Sequence, residues 1–306
     1  LRALQNNVSR MEIAMSVTRG FKLTPYLFLL PALLFMATFT IYPLLSVAYL
    51  SFTSYDILSP PEPVGLANYG RLAADGVFWL SLRNSFVYLI VTPVIIVLAI
   101  LLAIVVNRRL PGIGMFRALY YIPVITGSVA IGIAWQFLFD GTGGPVNGLL
   151  LSLGVIEKPI VFLTDQRFIL PIAMLMTTWM GVGYYMVVFL AGLQAIPQEL
   201  YDAARIDGCN NFQKHWHVSV PGLRPSIVFV AVISSLGALK VFDEIYVLTN
   251  ATGGILNSGS TMVFYLWKQA FKLQNVGYAS ATAMVLLAIT LAFSIMNVRL
   301  LERGEE

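Results

Sequence analysis

Thirty-one consecutive residues between Arg167 and Glu199 carry no Asp, Glu, Lys or Arg. Lys22 to Asp56 encloses 33 uncharged residues, Arg83 to Arg108 encloses 24, Arg117 to Asp140 encloses 22, and Lys272 to Arg299 encloses 26. A helix rises about 1.5 Å per residue and the hydrocarbon layer of a bilayer is about 30 Å thick, so roughly 20 such residues cross it. Each interval is therefore predicted to be a membrane span. A further span is expected from about 223 to 248, where Arg224 and Lys240 enclose only 15 uncharged residues. That span is long enough only if Lys240, Asp243 and Glu244 lie near one membrane face. The three sit at i, i+3 and i+4 and are expected to pair with one another near the outer mouth, since a charge at the bilayer centre costs roughly 2.5–3.5 kcal/mol. The reading is an all-α membrane protein of six transmembrane helices. Composition agrees: 58% of the 306 residues are apolar and 11% are charged, against about a quarter charged in soluble chains. Lipid is then the solvent over much of the exterior.

Lys and Arg collect in cytoplasmic loops close to spans. With six spans, twelve of them fall on the side that holds both termini and six on the other. Both termini are therefore expected in the cytoplasm. The organisation predicted is a cytoplasmic segment over 1–24, a six-span region over 25–299 and a cytoplasmic tail over 300–306. The first uncharged interval, at 33 residues, is too long for a cleaved signal peptide. Cys209 is the single cysteine, which excludes an intrachain disulfide and a Cys-rich metal site. His215 and His217 flank Trp216 without carboxylate support, and no metal is expected. The formal charge of +4 is small, and no nucleic-acid partner is expected.

The outer segments, such as 59–65, 141–145 and 252–254, are rich in Pro and Gly and read as turns. The cytoplasmic loop over 191–222 differs. Pro197 through Gly208 is punctuated as a short helix, with Pro197 suited to the first helical position and Gly208 to the residue past the end. Glu199 lies in the first turn, where the helix dipole favours a carboxylate, and Asp202 and Arg205 are one turn apart. Leu200, Ala203 and Ala204 share a small apolar face. A helix of about 15 Å is too short to cross the membrane and marginal alone in water. It rests either on lipid headgroups or against another protein.

The same residues resemble a cytoplasmic motif of the permease subunits of binding-protein-dependent ABC importers. That motif runs Glu-Ala-Ala, three residues, Gly, nine residues, Ile-x-Leu-Pro. Here it reads Asp202-Ala203-Ala204, then Gly208, then Val218-Ser219-Val220-Pro221. Asp replaces Glu and valines replace Ile and Leu, with the spacing intact. Over nearly its whole length the chain is similar to the sugar-type members, of which maltose and glycerol-phosphate permeases are examples. Val64 through Tyr69, Leu193 through Pro197 and Phe242 through Thr249 are among the stretches that carry the likeness. Gly253-Gly254 is followed by Ile255 where such permeases often have Gly-Gly-Pro.

The resemblance implies a type I importer permease fold in the bacterial inner membrane. It also implies a cytoplasmic ATPase dimer that hydrolyses ATP, an extracytoplasmic solute-binding protein, and a second homologous permease, in all expectation a different chain. The short helix would be the coupling helix, docking through Glu199, Leu200, Asp202, Ala203, Ala204, Asp207 and Gly208. Thr177, Gly181, Tyr184 and Ser234 match positions in the solute path. The chain has no Gly-x-x-x-x-Gly-Lys-Ser/Thr loop, so ATP and Mg would be held by the partner, with no cofactor on this chain. The alternative from another class is a secondary transporter or channel acting alone, against which the first four spans lack an ionisable group for a coupling ion. An intramembrane enzyme ranks below both, because no Ser/His/Asp or two-carboxylate constellation lies in the spans.

Overall fold

The structure, a computed structural model, describes residues 23–107 and 111–302. Arg108, Arg109, Arg303 and the four basic residues before Leu23 lie outside the described residues, as does most of the expected N-terminal segment and tail. Five helices are long and apolar enough to cross a membrane: Tyr26–Leu50, Gly76–Val106, Ile169–Ala195, Arg224–Leu248 and Val276–Asn297. Ile113–Ile125 and Ser128–Leu138, which meet at 97°, are long and apolar enough only when taken together, and count as a sixth span if the bent pair is one. In chain order these are the first to sixth spans, the bent pair being the third.

Contacts divide the chain at Tyr49 into two units. The first contains most of the first span, an apolar helix with Pro31 inside it and a wider π-turn over Ala37–Ile41. The second unit contains everything discussed below.

In the second unit the fourth span packs along the second through Ala99, Ala103, Met186 and Phe189, all fully buried. Small residues set how closely the helices approach. An added Cβ on Gly183 would sit 2.0 Å from the Tyr120 carbonyl oxygen, and one on Gly132 would sit 2.6 Å from Val247 Cγ1. Packing between helices in lipid depends on such close approach, because apolar side chains gain little by leaving one apolar solvent for another.

The third span departs from the straight helix expected between Arg117 and Asp140. Pro123 lies inside its first half, and Thr126 and Gly127 are extended, with ψ of 134° and 136°. Proline removes one backbone donor, and extended residues cannot continue the ladder. The second half therefore turns to lie against Asp243–Leu248. Ser128 Oγ donates to Asp243 Oδ2 at 2.7 Å, and Gln136 Nε2 donates to the Val247 carbonyl at 2.6 Å.

The fifth span is also broken. Its helix Arg224–Leu239 ends before Lys240, Phe242 has φ of −140°, and a second helix covers Asp243–Leu248. The Thr261 hydroxyl donates to the Val241 carbonyl at 2.8 Å, satisfying a backbone group freed by the break, as a low-dielectric surrounding requires. The break corrects the expected charge cluster. Lys240 and Glu244 no longer share a helix face, and the two ion pairs among the described residues are Arg167–Asp165 and Arg205–Asp202. Lys240 is exposed, while Asp243 and Glu244 accept from hydroxyls of other spans.

At one end of the second unit, Asp75 joins three elements. Its carboxylate caps the second span by accepting from the Val77 and Phe78 amides, and it accepts from Tyr265 OH at 2.5 Å and Tyr278 OH at 2.9 Å. The Arg71 guanidinium lies 4.7 Å from the Tyr278 ring centroid. Burial pushes the Asp75 carboxyl up, but the hydrogen bonds from Tyr265, Tyr278, Val77 and Phe78 outweigh it and hold the group below the usual carboxylate value. A lowered folded value means that the stabilisation is fully present above the ordinary 3.8 and is lost as pH falls through the lower folded value. Asp75→Ala removes a helix cap and two charge-assisted hydrogen bonds, and a loss of roughly 2–4 kcal/mol is expected at neutral pH. Thermal unfolding of the detergent-solubilised protein checks this, and an unfolding temperature equal to wild type refutes it.

Candidate functional site

Midway along the fourth span, Thr177, Gly181 and Tyr184 follow one another at i, i+4 and i+7, the spacing of a single helix face. They open onto a cavity of about 270 Å³ lined also by Ile95 of the second span, Val124 of the third and Ser234 and Glu244 of the fifth. All four residues expected in the path thus line one space. Their chemistry differs. Tyr184 is 42% exposed and meets Tyr185 edge-on with ring centroids 5.0 Å apart, so its aromatic face is free to receive a ligand. Gly181 lets Ile95 pack closely against the fourth span, since an added Cβ would come 2.8 Å from Ile95 Cδ1. The Ser234 hydroxyl already donates to the Val230 carbonyl at 2.6 Å, which leaves its acceptor capacity.

Two members of this site were not among the residues expected in the path. Thr177 donates to Glu244 Oε1 at 2.7 Å and lies 2.7 Å from the hydroxyl of the fully buried Tyr88. With a carboxylate as terminal acceptor, the chain runs Tyr88 to Thr177 to Glu244 and ties the second, fourth and fifth spans together. The signal for Glu244 was present, because an ionisable residue within a span marks a functional site by default. It was assigned instead to a cluster that only an unbroken helix would form. Tyr88 gave no signal beyond being an aromatic in an apolar run.

The loop between the fourth and fifth spans folds as a helix over Gln198–Ile206. Pro197 is its N-cap, one position earlier than expected, and Gly208 follows its end with φ of 77°. The Gly208 amide donates to the Arg205 carbonyl at 3.1 Å and the Cys209 amide to the Ala204 carbonyl at 2.9 Å, a Schellman closure that needs the left-handed residue. A second turn then starts at Asn210, which forms a reciprocal capping box with Gln213. It brings Ser219 back under the helix, fully buried, 3.0 Å from Tyr201 OH and 2.9 Å from His215 Nδ1. The fixed spacing from Asp202-Ala203-Ala204 through Gly208 to Val218-Ser219-Val220-Pro221 thus has a physical cause: it sets the return distance of Ser219.

The apolar face expected from Leu200, Ala203 and Ala204 is divided. Ala204 is buried against the chain's own loop, at 8% exposure, whereas Leu200 is 52% and Ile206 86% exposed. Glu199, Asp202, Ala203, Asp207 and Gly208 are exposed as well. The outward surface is therefore a row of small and apolar groups bordered by carboxylates, and Ile206 belongs to it.

A family model described as the inner membrane component of binding-protein-dependent transport systems matches residues 76–303. The chain belongs to this family of transport components. The lactose transport system permease protein LacF of Rhizobium radiobacter is 32% identical, over 92% of this chain and 95% of LacF. The arabinooligosaccharides transport system permease protein AraP of Bacillus subtilis is 34% identical, over 91% of this chain and 88% of AraP. In three dimensions the chain is similar to a chain of a bacterial ABC transporter involved in the import of the acidic polysaccharide alginate. The TM-score there is 0.79 at 20% identity, covering 98% of this chain and 99% of that one. The fold is accordingly that of a type I importer permease.

Proposed function

We infer that this permease forms half of the path for a sugar or polyol in an ATP-driven importer of the bacterial inner membrane, with both termini in the cytoplasm. The observation that carries this reading is the midspan cavity, where Thr177, Tyr184, Ser234 and Glu244 combine hydroxyl, aromatic and carboxylate groups. Polyhydroxylated solutes lose hydrogen bonds to water inside a membrane, and a site of this composition returns them. The sugars named for LacF and AraP point the same way. A solute-binding protein delivers the solute, and a second permease, of different sequence, completes the path.

Energy comes from outside the chain. The exposed row on Gln198–Ile206 docks against a cytoplasmic ATPase, which holds ATP and Mg, while this chain binds no cofactor and no metal. ATP binding moves the docked helix, and the spans rock between two arrangements around the cavity. The Tyr201–Ser219–His215 group, with Ser219 fully buried at its centre, makes the helix and its loop move as one piece, so displacement at the surface reaches the fifth span.

Reconstitution with the ATPase, second permease and binding protein tests this, with labelled lactose and arabino-oligosaccharide as probes. Uptake is expected only with ATP. In Tyr184→Ala, loss of an aromatic platform is expected to lower uptake about two- to tenfold without changing basal ATP hydrolysis. Uptake by the chain alone, without an ATPase, refutes the reading and favours a secondary transporter.

A further inference from the structure

Glu244 is the one acidic residue lining the midspan cavity, and no Lys, Arg or His lines it among the described residues. Its carboxylate makes no ion pair among the described residues. It is held instead by the Thr177 hydroxyl at 2.7 Å, itself 2.7 Å from Tyr88 OH. The fixed partners are thus neutral donors, and no cationic side chain of the described residues faces the carboxylate across a space of about 270 Å³. A sugar ring seated in this recess brings any charged substituent close to the carboxylate. At short range and low dielectric, like charges repel strongly and an ammonium is attracted.

We propose that Glu244 sets the charge selectivity of the path, admitting neutral and amino glycosides and rejecting uronates and other anionic sugars. The proposal rests on the sugar-path reading above and goes beyond it by naming the class. Neutral sugars are accepted because ring hydroxyls donate to the carboxylate as Thr177 does. Amino sugars gain a charge-assisted hydrogen bond. Anionic sugars bring a second negative charge with no cation to share. Discrimination of this kind works through a repulsive element rather than through tighter binding of the right ligand.

The test is equilibrium binding to the assembled permease–ATPase complex, purified in detergent near neutral pH. Probes are methyl glucoside and methyl galactoside, each with its 2-amino and its uronate counterpart. The wild type is expected to bind the uronate at least about tenfold more weakly than the neutral glycoside, and the amino form at least as tightly. This order is read on the unaltered protein and needs no variant. In Glu244→Gln, whose amide oxygen still accepts from Thr177, the uronate is expected to approach the neutral glycoside within about threefold. Glu244→Asp, which keeps the charge, is expected to keep the order. Glycoside binding that weakens in Tyr184→Ala but shows the same neutral-to-uronate ratio in wild type and Glu244→Gln overturns the proposal and leaves the sugar path standing. No binding of either neutral probe to wild type, or binding that ignores Tyr184→Ala, overturns both.

Discussion

Gly183→Ala is expected to abolish accumulation of the folded permease, although it adds a single methyl group. The added carbon would stand 2.0 Å from the carbonyl oxygen of Tyr120 and 3.0 Å from its carbonyl carbon, whereas ordinary contact begins near 3.4 Å. The obstructing atoms are backbone, so no rotamer change relieves them, and the first half of the third span would have to move as a body. That half ends at the bend at Thr126 and Gly127 and carries Val124 into the cavity wall, so displacement reaches the cavity. Overpacking in a well-packed core costs about 1–3 kcal/mol where side chains give way, and a backbone clash belongs at or above the top of that range. Gly181→Ala provides the contrast: its new carbon meets the tip of the Ile95 side chain at 2.8 Å, which can rotate aside. Gly237→Ala meets nothing within 4 Å. Membrane levels and unfolding temperature in detergent should therefore fall steeply for Gly183→Ala, moderately for Gly181→Ala and hardly for Gly237→Ala. Equal levels of all three would show that the fourth and third spans are not in this contact.

The difference between Gly181 and Gly183 marks where sequence reading stops. The apolar spans were legible because length without charge is a property of the chain itself, decided by the thickness of the lipid. The breaks were not. Pro123 followed by Gly127, or Lys240 ahead of Phe242, also occurs in continuous helices, and it is the packing of Ser128 and Gln136 on Asp243–Leu248 that selects the bent form. Reading the fifth span as unbroken brought Lys240, Asp243 and Glu244 onto one face, and that single error hid the carboxylate from the cavity. Thr177, Gly181, Tyr184 and Ser234 converge on one space, yet their convergence came from family likeness, since polar residues in a span look alike whether they face a path or a neighbour. The loop helix was readable from Pro197 and Gly208 because both restrict backbone angles locally. Which way Ala204 points depends on Ser219, fifteen residues further on, and a helical wheel of the short segment alone does not contain it.

That orientation decides the second large effect. Ile206→Asp is expected to stop transport while the permease reaches the membrane at its normal level. Ile206 is 86% exposed at the end of the short helix and makes no buried contact that its own fold would lose. An apolar side chain of this size contributes about 1.5–3 kcal/mol when fully covered by a partner, equivalent to roughly a tenfold to hundredfold change in affinity. Replacing it by a carboxylate beside Asp207 adds an unpaired charge at the contact, which is costlier than the lost apolar area. Co-purification of the ATPase with the tagged permease should therefore drop at least about tenfold, and solute-stimulated ATP hydrolysis should vanish with it. Ala204→Asp serves as the counterpart, for it puts a charge under the helix against the chain's own loop and is expected to lower the unfolding temperature as well as the coupling. Ile206→Asp should leave that temperature within about a degree of wild type, because exposed positions change stability little. Retention of the ATPase at wild-type yield by Ile206→Asp would place the docking surface elsewhere on the cytoplasmic side. Joint loss of stability in both variants would mean that Ile206 is covered by its own chain.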